Sequence, residues 1–373
     1  MKGKVLITGG AGFIGSHTAD LLIKNNYKVV LYDNLNIKTH NGKWPKYVNP
    51  EAELIFGNIT DEEKLKNALT GIDYVIHLAA EMDLNPDFKN FMDINVGGTA
   101  LIYELIVKNN FPIKKIVVAS SQFVYGEGQW SCDIHGKFSG VLRDLAKMKN
   151  SQWNQRCPIC NSEAVYCHND EKYNNPPNHY ALSKLFQEKI AIQLGKLYDI
   201  PSTALRYSIV HGPRQSLKNT YSGALRNFAI RIDMDLSIPT FEDNLSMRDF
   251  VSVYDVAEAN KLMLEEDNAN FEIYNVGGGE PWKIKDLALE ISKIMNKSFS
   301  FMPETEFRVG DIRHAISDIS KIQKLGWKPK FSEQETLKEY ISWFSKQSYD
   351  KQVYLNTQKK IRDQKFIQSI SKK

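Results

Sequence analysis

No stretch of this 373-residue chain reaches the roughly 18 consecutive apolar residues that a bilayer-spanning helix requires. The N-terminus carries no charged-then-apolar leader and runs straight into Lys4-Val5-Leu6-Ile7-Thr8, so no targeting segment is expected. Cysteine is scarce, with four residues in all. Without a leader, that points to a reducing cytoplasm rather than a disulfide-stapled secreted domain. An excess of one charge is also nearly missing: the net charge is +4, of which residues 346–373 contribute +6, leaving the body at about −2. With no basic face interleaved with aromatics, neither nucleic acid nor membrane is expected as a partner. The Lys- and Gln-rich tail 346–373 reads as a solvated or frayed helix. Internal repeats and long low-complexity tracts are absent as well.

What is present begins with a short apolar strand, Lys4–Thr8, followed at once by Gly9-Gly10-Ala11-Gly12-Phe13-Ile14-Gly15 and an apolar-periodic helix through Leu21, Leu22 and Ile23. That strand–turn–helix context is what a dinucleotide-binding turn requires. Gly9 permits the tight turn, Gly12 lets backbone N–H groups approach a pyrophosphate, and Gly15 lets the helix pack on the sheet, with the phosphate at the helix N-terminus. A second strand, Val29-Val30-Leu31-Tyr32, ends at Asp33, where a carboxylate reaches adenosine ribose hydroxyls. No Arg follows in Asn34-Leu35-Asn36 to neutralise a 2′-phosphate, so NAD is expected as cofactor rather than NADP. Two more strand ends, Glu53–Ile59 and Asp73–Ala80, carry cofactor signals, and small Ala79 and Ala80 allow close backbone approach. His77, in an apolar strand without a partner motif, reads as a core histidine.

Alternating strands and helices through residue 210 argue for an α/β fold, a doubly wound parallel sheet of Rossmann type with helices on both faces. Far downstream lies Tyr180-Ala-Leu-Ser-Lys184. Residues at i and i+4 share a helical face, so the Lys184 ammonium is expected beside the Tyr180 phenol, drawing its pKa towards neutrality and making it a general base.

In these motifs the chain resembles the extended short-chain dehydrogenase/reductase family, in its NAD-dependent nucleotide-sugar epimerase/dehydratase branch, over about residues 3–345. The resemblance rests further on His77-Leu78-Ala79-Ala80, Asn95-Val96-Gly97-Gly98-Thr99, Ala119–Gly126, Arg206–Gln215 and Arg248-Asp249-Phe250-Val251. It implies that Ser121 hydrogen-bonds the reacting sugar oxygen and that Lys184 holds both the nicotinamide ribose and Tyr180. It also implies a cofactor wall drawn from Gly9, Gly12, Phe13, Ile14, Gly15, Asp33, Asn34, Asn58, Ile59, Leu78, Ala79, Ala80, Asn95, Ser120 and Tyr207, with Asn95 in a supporting role. Gln122, Ser208, Arg214, Arg248, Arg308 and Asp311 are implied on the substrate side. Arg248 and Arg308 match positions that contact the nucleotide diphosphate, while Ser208 stands where an Asn is usual. A homodimer formed through helices that include the Tyr180 helix is implied in the same way.

One departure bears on the reaction. Dehydratases of the family follow the hydroxyl residue with an Asp-Glu pair, where this chain has Gln122 and Phe123. Neither side chain donates or accepts a catalytic proton, so elimination loses its acid and base, and reversible oxidation remains. The expected activity is 4-epimerisation of a nucleotide sugar. Tyr180 takes the C4 hydroxyl proton while hydride passes to NAD+, and the 4-keto sugar then turns and is reduced on its other face. Segment 212–223 and the cysteine-bearing insert look most like 4-epimerases of deoxythymidine-diphosphate 6-deoxyhexoses; UDP-hexose epimerisation and a non-enzymatic NAD-sensing regulator are the alternatives.

All four cysteines, Cys132, Cys157, Cys160 and Cys167, fall in an insert at about 128–178. Their clustering, with one C-x-x-C knuckle, suggests a structural four-thiolate zinc site, with His135 and His168 as substitute ligands. The insert adjoins the active-site motifs on both sides in sequence and is expected to form a lid over the sugar pocket. The expected organisation is a NAD-binding part over 1–210, a mainly substrate-binding part over 211–345 that returns to the first at about 249–278, and the basic tail.

Overall fold

The computed structural model describes residues 2–82, 86–218, 223–363 and 367–370. Strands β1 (Lys4–Thr8), β2 (Lys28–Asp33), β3 (Glu53–Phe56), β4 (Tyr74–His77) and β5 (Lys115–Ser121) join the strands Ser202–Tyr207 and Glu272–Val276 in one seven-stranded sheet. Its order is Glu272–Val276, Ser202–Tyr207, β5, β4, β1, β2, β3, and every neighbouring pair is parallel. The chain winds outward from β1 through β2 to β3, then returns to place β4 on the other side of β1. In such sheets ligands bind beyond the carboxyl ends of the strands, at that reversal.

Side chains alternate across a strand, and the sequence of β1 is apolar on both faces for that reason. Val5 and Ile7, with Leu31 and Val117, pack against Ala19 and Leu22 of helix Phe13–Lys24 and Val256 and Met263 of helix Val253–Glu265. Leu6, Val30, Val75, Ile116 and Val118 face the other way, onto helices Glu62–Leu69, Gly98–Asn109 and His179–Leu197. This two-sided burial holds Thr8, Asp33, His77 and Ser121 at the carboxyl edge.

A second, smaller sheet sets Met247–Ser252 between Ile209–His211 and Pro281–Lys283, and the short strand His314–Ala315 also pairs with it, at Met247 and Arg248. Beside it, Leu225, Phe228, Leu287, Ile291, Leu337 and Tyr340 form a separate core. The cysteine insert contains a three-stranded antiparallel sheet in which Gln129–Cys132 lies between Gly136–Ser139 and Val165–Cys167.

The insert is tied down firmly. Buried Trp130 packs on Tyr166 and on His314, with ring centroids 5.3 and 5.6 Å away. Asn169 N–H donates to Ile316 O at 3.0 Å. A buried ion network completes the junction: Arg143 binds Glu127 at 2.9 Å and Glu242 at 2.7 Å, and Arg313 binds Glu242 at 2.9 Å and Asp243 at 2.7 Å. The insert, expected as a lid, is thus cross-braced against residues 242–243 and 311–316.

The tail too is tied to the body. Helix Lys351–Asp363 buries Tyr354 in the core with Tyr340 and Phe344, and Ile367–Ser369 pairs antiparallel with Glu306–Arg308. The helix itself is exposed along most of its described residues, as its charge leads one to expect, and Tyr354 anchors it.

Candidate active site

The glycine turn closes as its residue types require. Gly9 has φ +70°, and a Cβ there would lie 2.8 Å from the Ala79 nitrogen; one on Gly15 would lie 2.4 Å from Gly9 O. A Cβ on Gly12 would meet only Gly9 O, at 3.1 Å, so the approach to this helix N-terminus is open. No side chain caps the helix there, which leaves its N–H groups free to bind an anion.

Asp33 sits buried at the end of β2. Its carboxylate accepts the Ala11 N–H at 3.0 Å and the Leu35 N–H at 2.8 Å, so it also fastens the glycine turn. Burial pushes its carboxyl upward, opposed by the Leu35 N–H, by His40 and by the Ala11 N–H. Each oxygen keeps a further lone pair for a ribose hydroxyl. The open turn, the uncapped helix and this carboxylate at the sheet reversal together fit a dinucleotide.

Asn34 and Asn58 are exposed at neighbouring strand ends, where their side-chain oxygens accept from Asn36 N and Thr60 N. Ile59 is buried close against Gly98. Leu78 N–H donates to Thr8 O, and Ala79 N–H to the Thr8 hydroxyl, which sets the loop reaching Ala80 against β1. Phe13 and Ile14 are half-buried at the first helical turn.

Asn95 lies in a π-helical turn, Met92–Gly97, and is fully buried. It grips Glu81 through N–H and C=O, at 2.7 and 3.2 Å, and donates to the Ser183 hydroxyl at 2.9 Å. That joins the loop after β4 to the helix carrying Tyr180. His77 is a satisfied core residue between Thr8 and Thr99, at 2.7 and 2.9 Å, and burial lowers its pKa to about 3.

Helix His179–Leu197, capped by the Asn178 side chain on Ala181 N–H, presents Tyr180, Ser183, Lys184, Gln187 and Glu188 on its buried side. The Tyr180 phenol lies beside the Ser121 hydroxyl. Ser121 also caps the short helix Gln122–Tyr125 by accepting the Phe123 N–H at 3.2 Å. The Phe123 ring stands edge-on to Tyr180, with centroids 6.0 Å apart, and Gln122 is buried with its Oε1 unpartnered. No carboxylate occupies position 122 or 123.

The lysine behaves differently from expectation. Burial pushes the Tyr180 phenol up to about 12, with the Ser121 hydroxyl pulling it down. Lys184 is held down to about 7 by burial, and its Nζ donates to Ala119 O at 3.0 Å. Sharing a helical face places the ammonium on the phenol's side, but its hydrogen bond goes to the sheet carbonyl of Ala119.

Several other predicted residues are engaged within the protein. The Ser120 hydroxyl donates to Glu188, and the Tyr207 hydroxyl to Asn260 at 2.6 Å. Ser208 donates to Asp249 at 2.6 Å. Arg214, with φ +68°, turns back to Asp20 at 2.8 Å and lies over the Tyr47 ring. Arg248 spends its guanidinium on Met247 O, Arg313 O, Ile312 O and Asp311 Oδ1, at 2.8–3.2 Å. Asp311 is thereby part of that loop clamp, and it also accepts its neighbour's Ile312 N–H. Arg308 stacks on Phe241 at 4.3 Å and lines a cavity of about 160 Å³ with Arg231 and, from the tail, Gln358 and Arg362. Residues 219–222 of the predicted substrate segment lie outside the described residues.

Sequence reasoning missed the Glu188–Arg206 pair. Arg206 binds both Glu188 oxygens at 2.8 Å and the carbonyls of Glu171 and Tyr173 at 3.1 and 2.9 Å, beneath the catalytic helix. The available signal was Glu188 one helical turn beyond Lys184. Of the four cysteines, three converge with His135, within 4.8 Å of one another. Cys167, expected with them, stays on its strand with Sγ 4.0 Å from Val165 O and lies outside that group, where His135, the substitute the sequence offered, takes its place.

Residues 5–277 match the model of the NAD dependent epimerase/dehydratase family. The chain belongs to this family. It is 31% identical to dTDP-L-rhamnose 4-epimerase of Burkholderia thailandensis, over 92% of this chain and 95% of that protein. Among solved structures it is similar to UDP-glucose 4-epimerase of Thermotoga maritima with UDP-glucose, at 29% identity and a TM-score of 0.74, over 92% of this chain and 99% of that one. It is also similar to the Thermus thermophilus UDP-glucose 4-epimerase complex with NAD, at 25% identity and a TM-score of 0.72, over 92% and 100%. Among the described residues, no helix is long and apolar enough to cross a membrane.

Proposed function

We propose that this family member is an NAD-dependent nucleotide-sugar 4-epimerase acting on a deoxythymidine-diphosphate 6-deoxyhexose. The observation that carries the reading is the Tyr180 phenol beside the Ser121 hydroxyl, walled by Phe123, with Gln122 next in sequence and no acid to drive elimination. Tyr180 takes the C4 hydroxyl proton, with Ser121 holding that oxygen, as C4 becomes a ketone. After the keto sugar turns over, Tyr180 returns the proton to the new C4 hydroxyl. Bound NAD supplies the hydride acceptor and donor for the two halves and, when oxidised, a positive charge that favours the phenolate. Phe123 and the buried Gln122 offer the turned ketone no proton donor strong enough for loss of water.

Gly9, Gly12, Gly15 and Asp33 would hold the dinucleotide, and the Lys184 ammonium would leave Ala119 O to reach the ribose. A guanidinium group such as Arg308, with Arg231 and Arg362 around one cavity, suits a diphosphate. The test is a panel of dTDP-L-rhamnose, UDP-glucose and UDP-glucuronic acid incubated with purified protein and followed by NMR. Inversion of the dTDP sugar supports the reading. Inversion of a UDP-hexose alone would replace it with the second reading, which the likeness to the Thermotoga maritima enzyme favours.

The active form in this reading is a cytoplasmic homodimer with a structural zinc ion in the insert. Leu182 and Phe186, 37% and 49% exposed on the catalytic helix, offer an apolar face for a second copy. Light scattering at twice the chain mass supports that assembly, and a monomer at assay concentration contradicts it.

A further inference from the structure

The insert carries two loops of the same form. Cys132-Asp133-Ile134-His135 turns between two strands, ending at Gly136 with φ +72°. Cys157-Pro158-Ile159-Cys160 closes through Asn161 N–H to Cys157 O at 2.9 Å and Cys157 N–H to Ser162 O at 2.8 Å, with Asn161 at φ +59°. In each loop the isoleucine points outward, Ile134 at 76% and Ile159 at 72% exposed. The backbone N–H groups of the third and fourth residues face the first sulfur in both loops: those of Ile134 and His135 face Cys132, and those of Ile159 and Cys160 face Cys157.

All four ligand atoms lie within 4.8 Å of one another, and three of their six separations come close to the edges of a tetrahedron. Cys132 Sγ lies 3.6 Å from Cys160 Sγ and 3.8 Å from His135 Nδ1, and Cys157 Sγ lies 3.5 Å from His135 Nδ1. An ion about 2.3 Å from each sulfur and about 2.0 Å from nitrogen, in tetrahedral geometry, gives edges of about 3.8 Å for S···S and about 3.5 Å for S···N. A disulfide would need its sulfurs at about 2.05 Å, and all four cysteines are free.

We propose that Cys132, Cys157, Cys160 and Nδ1 of His135 bind one zinc ion, and that Cys167 takes no part. This deepens the reading of a structural zinc in the insert and rests on it. Three thiol protons leave as the ion binds, and four protein ligands leave no position for a reactive water. The ion joins the hairpin Gln129–Ser139 to the knuckle 157–160 at one end of the insert. At its other end Glu127 and Arg143 brace it against Glu242 and Arg313. A segment of about fifty residues has too little core to hold both loops by burial alone, and the metal supplies that constraint.

Elemental analysis of the purified full chain tests the ligand set, because metal is counted whether or not the protein turns over any nucleotide sugar. One zinc per chain is expected, retained in Cys167→Ser and lost in Cys160→Ser and His135→Ala. His135→Cys should restore it, which guards against His135→Ala having merely misfolded. Cobalt exchanged into the wild type should give the intense visible bands of a tetrahedral thiolate site, absent from Cys160→Ser. Zinc-free wild type overturns the site; loss of zinc in Cys167→Ser, with retention in His135→Ala, overturns the ligand set in favour of four thiolates. Epimerase assays run alongside separate this outcome from failure of the proposed reaction.

Discussion

The hydroxyls of Ser121 and Tyr180 lie side by side at the carboxyl edge of the sheet, one from the end of β5 and the other from the first turn of the helix His179–Leu197. Removing the phenol oxygen should therefore remove the base without disturbing the nucleotide site. Tyr180→Phe is expected to lower kcat by about 10²- to 10⁴-fold. NAD released by acid should remain stoichiometric, and near-wild-type turnover would rule out the phenol as base.

Burial of Lys184 makes a prediction in the opposite direction for stability. Its folded pKa, about 7, lies below the unfolded value of about 10.4, so between those limits the unfolded chain binds the extra proton and stability rises with pH. At or below pH 7 the full cost of burying the ammonium is present. Lys184→Met should thus abolish turnover yet raise the Tm of dinucleotide-free protein at pH 7 by a few degrees, the gap closing towards pH 10. Calorimetry at the two pH values reads it, and a lower Tm at pH 7 would contradict the argument.

Glu242 accepts from both Arg143 and Arg313 at the joint between the insert and the substrate side. Glu242→Ala leaves two buried guanidinium groups short of a partner, for an expected loss of about 3–5 kcal/mol. Urea denaturation followed by Trp fluorescence measures this. A shift typical of an exposed ion pair, below about 1 kcal/mol, would mean that the brace carries little.

Asp33 serves two roles that one substitution separates. Asp33→Ala removes the acceptor for the Ala11 and Leu35 N–H groups and the contact expected for the ribose. NAD affinity by calorimetric titration should fall about 10- to 100-fold, as loss of charge-assisted hydrogen bonds implies. Unchanged affinity would remove Asp33 from the site.

The parts of this site that the sequence revealed are those whose chemistry is local. Gly9, Gly12 and Gly15 are fixed by backbone geometry within one turn, and the spacing of Tyr180 to Lys184 by helical pitch. The aim of a long side chain is decided by tertiary partners instead. Arg248 was expected on a diphosphate and is held by the carbonyls of Met247, Ile312 and Arg313, and Ser208 by Asp249. The clustering of cysteines in the insert was legible, and so was His135 as a substitute ligand, but which side chains converge is decided by the loops that carry them: Cys132, His135, Cys157 and Cys160 come together, without Cys167. The tail's fold depended on one tyrosine, invisible in its charge.

The central claim is that Tyr180 exchanges a proton while C4 is oxidised and reduced inside one closed site. Its most direct test uses the dTDP sugar carrying deuterium at C4, with protein to which no NAD has been added. The account predicts inverted product that keeps the deuterium at C4, with no solvent hydrogen there. Product with the label washed out into water would contradict it.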